Sequence, residues 1–73
     1  MNKDTTEKAI AANLGALTEM LRKALADAEE AMGYVAQGNR NAAIGTIVDL
    51  DRLLTDATAL QGAALALHRR VPA

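Results

Sequence analysis

The chain contains no cysteine, tryptophan or phenylalanine, a single tyrosine (Tyr34) and a single proline (Pro72). Without cysteine it can form neither a disulfide nor a thiolate zinc site, and one histidine, His68, is too few for a multi-histidine metal centre. The shortage of aromatic rings removes the platform on which single-stranded nucleic acids stack. Eight Lys/Arg against nine Asp/Glu give a formal net charge of −1, so the basic excess of a dedicated nucleic-acid binder is missing too. The longest uncharged run, Ala57 to His68, falls short of the roughly 18 apolar residues a membrane span requires. Near the start, Lys3 and Lys8 are mixed with Asp4 and Glu7, and Asn13 interrupts the following apolar stretch. That pattern argues against a secretory signal and for a cytoplasmic protein.

What is present is an alanine-rich composition, 51% hydrophobic, spread over 73 residues that make one domain at most, 1–73. A compact monomer of this size buries only about 60% of the surface its unfolded chain exposes. With disulfides and metal centres excluded, oligomerisation is the remaining source of stability.

Asp4-Thr5-Thr6-Glu7 has the form of a capping box and predicts a helix over about 5–36, free of proline and running through Gly15 and Gly33. Gln37-Gly38-Asn39-Arg40-Asn41 predicts a turn over about 37–41, with Gly38 in a left-handed cap and Asn39 or Asn41 capping the next helix. A second helix is expected over about 42–69, with Arg69 and Arg70 at its C-terminus and Pro72 as the stop.

Periodicity is the strongest signal. In the first helix Ile10, Leu14, Leu17, Leu21, Ala24, Ala28, Ala31 and Val35 recur at alternating spacings of four and three, widened by Leu25 and Met32. In the second, the seam is Ala43, Thr46, Leu50, Leu53, Ala57, Leu60, Ala64, Leu67 and Val71, widened by Ile47 and Leu54. An antiparallel two-helix hairpin turning at Gly38 sets large residues against small ones, for example Leu21 against Ala57 and Leu14 against Ala64. Each stripe is still too broad for one neighbour, so the expected architecture is all-α, with two hairpins packed into a four-helix bundle.

Ala31, Tyr34, Gly38, Ala43 and Ile47 are spaced like the centre of a tetratricopeptide repeat. That similarity covers about a quarter of the chain and has no second copy, so it describes a tight helix–helix turn and implies no repeat-type peptide binding. In overall plan the chain resembles the small plasmid-encoded Rop family of dimeric helical hairpins, an analogy of architecture that implies a homodimeric bundle and, as one alternative function, regulation through RNA binding.

Candidate chemistry is sparse. His68 is the one side chain whose ordinary pKa lies near neutrality, and the hairpin register sets it beside Ile10 and Glu7, where it ties the chain ends together more readily than it serves as a base. The carboxylates include Asp27, Glu29, Glu30, Asp49, Asp51 and Asp56, but there is no Glu-x-x-His pair of the kind that holds metals in bundles. Instead, Glu19 with Lys23, Lys23 with Asp27 and Arg52 with Asp56 are spaced as helix ion pairs. Gln61 and Thr46 interrupt the apolar pattern. Gln61 either meets water at the edge or pairs with its counterpart across a dimer axis.

The expectation is therefore a non-catalytic oligomerisation or protein-interaction module, without metal or cofactor. Leu14, Leu17, Leu21, Leu50, Leu53, Leu54 and Leu60 are expected at the oligomer interface, with Ile44, Val48 and Tyr34 as a patch for a protein partner. A Rop-like RNA-binding regulator and a small subunit or chaperone of a larger complex are the alternatives.

Overall fold

A computed structural model describes residues 2–70 and places them in three helices: α1 (Lys3–Ala36), α2 (Arg40–Val48) and α3 (Leu50–Arg69). There is no strand among the described residues. Val71 and Pro72, expected to end the seam and stop the second helix, lie outside them.

Helix α1 begins two residues before the sequence expectation. Its cap is Asn2, in extended backbone (φ −78°, ψ 166°), whose Oδ1 accepts from the Thr5 N–H at 2.8 Å. The Asn2 carbonyl accepts twice more, from the Thr6 N–H and the Thr6 hydroxyl, both at 3.0 Å. Asparagine caps as well as aspartate, and starting at Asn2 satisfies the first amides while adding helix. Asp4 accordingly lies within the first turn, where its charge favours the positive end of the helix dipole, and the Asp4–Glu7 capping box does not form.

The turn follows the sequence closely. Gly38 adopts φ +77°, the left-handed region that costs a side-chain-bearing residue about 1–2 kcal/mol. Its N–H donates to the Val35 carbonyl at 2.9 Å, and the Asn39 N–H donates to the Tyr34 carbonyl at 2.8 Å. These two bonds make a Schellman cap, closing the last carbonyls of α1. One residue later Asn39 begins α2, its Oδ1 accepting from the Ala42 N–H at 3.2 Å.

The expected second helix is divided at Asp49. The preceding Gly45-Thr46-Ile47-Val48 combines a glycine with three β-branched residues, all weak helix formers. Thr46 also turns its hydroxyl onto the Ala42 carbonyl at 2.8 Å, a back-bond that bends helices. When α3 starts, the Leu53 N–H to Asp49 carbonyl bond is stretched to 3.5 Å. Asp49 keeps helical dihedrals (φ −73°, ψ −17°), so the chain bends there without reversing.

Both α2 and α3 pack along α1, giving a helical hairpin 54 Å long and 14 Å across. The returning arm, α2 and α3, uses the expected seam: Ala43, Ala57 and Ala64 are buried, and Thr46, Leu50, Leu53, Leu60 and Leu67 are half-buried. On α1 the face turned inward is rotated from the expected one. Thr6, Asp27 and Ala31 are buried and Ile10, Asn13, Leu17, Met20, Ala24 and Tyr34 half-buried, while Leu14, Leu21 and Val35 are exposed. The four buried apolar residues, Ala31, Ala43, Ala57 and Ala64, are all alanines. Such small side chains bring the helices close but contribute little burial energy, at about 0.8 kcal/mol per methylene-sized group.

Candidate interaction face

The rotation of α1 separates the hairpin into two unlike broad sides. On one side α1 presents Leu14, Leu21, Leu25, Met32 and Val35, and the returning helices present Ile44, Ile47, Leu54 and Leu65. All nine are exposed, from 39% at Ile47 to 72% at Met32. Periodicity places them together: on α1 they occupy the two heptad positions next to the seam, and on α2 and α3 the matching positions.

Two grooves run along this side. Near the turn, Ala28, Ala31, Met32, Val35, Ala36, Ala43, Ile44 and Ile47 enclose about 470 Å³ lined only by apolar side chains. Further along, Leu17, Leu21, Leu54, Ala57, Thr58 and Gln61 line a second of about 330 Å³. A concavity of about 380 Å³ containing Ile47, Val48, Leu50, Asp51 and Leu54 joins them. Asp51 is the one charged residue lining any of the three.

The other side is built from alanines and charges. Lys23 Nζ donates to Asp27 Oδ1 at 2.8 Å, and Arg22 Nε lies 3.7 Å from Glu19 Oε1. Asp27 is buried, and Lys23, spaced four residues before it as a helix ion pair, is its partner. The hydrogen bond to Asp27 and that residue's charge, with weaker contributions from Glu30 and Asp49, raise the Lys23 pKa above its ordinary value. Glu19 meets Arg22 in place of Lys23, and an Arg52–Asp56 pair is not among the ion pairs of the described residues.

Of the residues expected at an oligomer interface, Leu17, Leu50, Leu53 and Leu60 are half-buried along the hairpin's own seam, whereas Leu14, Leu21 and Leu54 stand on the exposed apolar side. Ile44 and Val48 of the expected partner patch are uncovered, at 52% and 64% exposure. Tyr34 is half-buried, donates its hydroxyl to Glu30 Oε1 at 3.2 Å, and takes no part in the apolar groove by the turn. Leu25 and Met32, which widen the seam of the first helix, are prominent members of the face, and so is Leu65, which lies outside the seam of the second. Their signal was the excess width of the stripe.

Gln61 and His68 are both exposed on the hairpin. Glu7 is exposed as well, and no ion pair joins it to His68 among the described residues. No group of three or more His, Asp or Glu side chains suited to a metal ion occurs among the described residues. No helix among them is long and apolar enough to cross a membrane. The chain matches no protein-family model, no curated protein and no solved structure.

Proposed function

We propose that this chain is a non-catalytic helical oligomerisation module that works by burying its leucine-rich side against a second copy, completing a four-helix bundle. The observation that carries the reading is the mismatch between what the hairpin buries and what it exposes. Four alanines form its buried apolar core, while nine large aliphatic or methionine side chains remain on one side.

The magnitudes favour association. Full burial of a Leu, Ile, Val or Met side chain is worth about 1.5–3 kcal/mol at about 25 cal/mol per Å², which corresponds to roughly 100 Å² each. Nine of them, each roughly half exposed, offer on the order of 500 Å² of apolar surface per copy before any backbone or polar rim is added. That is the scale of a specific interface, where roughly 800 Å² per partner is buried in total. A monomer leaving this face in water would expose, on a chain of only 73 residues, an apolar patch at the upper end of what soluble monomers carry, a size that marks interaction surfaces.

Against RNA recognition stand the pairing of Lys23 with Asp27, the proximity of Arg22 to Glu19 and the absence of charge along most of the apolar side. A different helical protein would use the same side, and the isolated chain would then stay monomeric and poorly soluble. Thermal unfolding at several protein concentrations tests the proposal. Folding coupled to self-association raises the melting midpoint with concentration, whereas a midpoint independent of concentration over a hundredfold range contradicts it.

A further inference from the structure

The exposed apolar side is interrupted near its middle by three polar residues, Thr18, Thr58 and Gln61. Two of them are satisfied within their own helices: the Thr18 hydroxyl donates to the Leu14 carbonyl at 2.8 Å and the Thr58 hydroxyl to the Leu54 carbonyl at 2.9 Å. Gln61 has no such internal bond among the described residues and relies on solvent. It lines the same groove as Leu17 and Leu21, which bracket the midpoint of α1. Gln61 therefore lies at about half the length of the rod.

A second copy covering this side has two symmetric ways to lie on it. With both turns at the same end, symmetry places α3 of one copy over α1 of its partner. Each Gln61 then faces the partner's Leu17, Thr18 and Leu21; the Thr18 hydroxyl, whose proton is already given to Leu14, offers an acceptor only, and the Gln61 carbonyl is buried without a donor at a cost of about 1–3 kcal/mol. With the turns at opposite ends, the two-fold axis crosses the rod near its middle and α3 lies over α3. Residues close to that axis meet their own counterparts. Gln61 is such a residue, and an amide carries both donor and acceptor, so two of them pair reciprocally.

On the reading that the chain self-associates, we propose that the two hairpins lie head to tail, each turn beside the partner's chain ends, with the two Gln61 amides hydrogen-bonded at the dyad. A single buried polar pair at the axis fixes orientation and register, because any shift leaves both amides unpaired. Thr18 and Thr58 accept burial beside it because their hydroxyls are already bonded.

The absence of cysteine makes the test direct. A nitroxide attached through Asn41→Cys, an exposed position in the first turn of α2, reports the separation of the two turns by pulsed electron resonance. The head-to-tail dimer gives one distance close to the 54 Å length of the hairpin. A dimer with a single distance of ~20 Å, about two helix layers, overturns the orientation and leaves self-association standing. A labelled chain that is monomeric overturns both. Adding Gln61→Leu removes the amide pair and is expected to bring in a second, short distance. Retention of the single long distance in that variant overturns the role given to Gln61.

Discussion

The ammonium of Lys23 lies 2.8 Å from the carboxylate of Asp27, one turn further along α1, and the Asp27 side chain is only 11% exposed. A carboxylate placed so close to the hairpin seam needs a partner, and the lysine provides it from the surface. Asp27 raises the Lys23 pKa, first through the hydrogen bond and then through its charge. A lysine whose folded pKa exceeds its unfolded value of about 10.5 stabilises the fold below that pH and ceases to do so as pH rises through the folded value. Helicity followed by circular dichroism is therefore expected to hold up to about pH 10 and to weaken above it. Lys23→Gln should lower the melting temperature at pH 7 and flatten that alkaline dependence, and an unchanged alkaline profile would contradict this role for the pair.

Gly38 and the helical glycines are expected to respond in opposite directions. At φ +77° an alanine is strained, so Gly38→Ala should destabilise by about 1–2 kcal/mol. A Cβ built on Gly33 or Gly62 meets nothing within 4 Å. Gly33→Ala and Gly62→Ala should therefore each stabilise by about 0.5–1 kcal/mol, through the lower entropy of the unfolded chain. Melting midpoints measure both, and the two classes should be displaced to opposite sides of the parent protein.

The division between α2 and α3 should be visible as motion. Amide hydrogens of residues 49–53, where the bond from Leu53 to Asp49 is 3.5 Å long, are expected to exchange faster than those in the middle of α1 and α3. Gly45→Ala strengthens the weak segment just before the break and should slow that exchange. Uniform protection across residues 43–60 in the parent protein would show that the bend carries no loss of stability.

How much of this was legible in the sequence differs between the helices. The seam from Ala43 to Leu67 could be read because one of its flanks, Ala42, Asp49, Asp56 and Ala63, is small or charged, so that the stripe widens only toward Ile47 and Leu54. Gly38 and Asn39 were equally legible, since left-handed backbone and an N-terminal cap each favour few residue types. On α1 the apolar stripe is broad enough to serve two neighbours, and spacing alone does not say which half meets the returning chain. The half containing Met20 and Tyr34 does, and it brings Asp27 into the seam, while Leu14, Leu21 and Val35 turn outward. The bend at Asp49 escaped because each residue of Gly45-Thr46-Ile47-Val48 is tolerable in a helix and only their succession weakens it. Asn2 and Asp4 are both good caps by residue type, and the capping-box spacing of Asp4 and Glu7 favours the one the fold does not use.

Two leucines on opposite sides of this division separate association from hairpin formation. Leu53 is half-buried on the hairpin seam, whereas Leu21 is 48% exposed on the apolar side. Leu53→Asp should abolish helicity at any concentration. Leu21→Asp should abolish the dimer, and most of the helicity is expected to go with it because the lone hairpin has so small a core. A Leu21→Asp chain that keeps the parent's helicity and mass at the same micromolar concentration would argue that association occurs through some other surface.

The most direct test is the mass of the unmodified chain in solution, measured by light scattering across a size-exclusion peak. Self-association through the leucine-rich side predicts twice the 7.6 kDa chain mass, together with the full helical signal, at micromolar concentration. A stably helical species with the mass of one chain would contradict it.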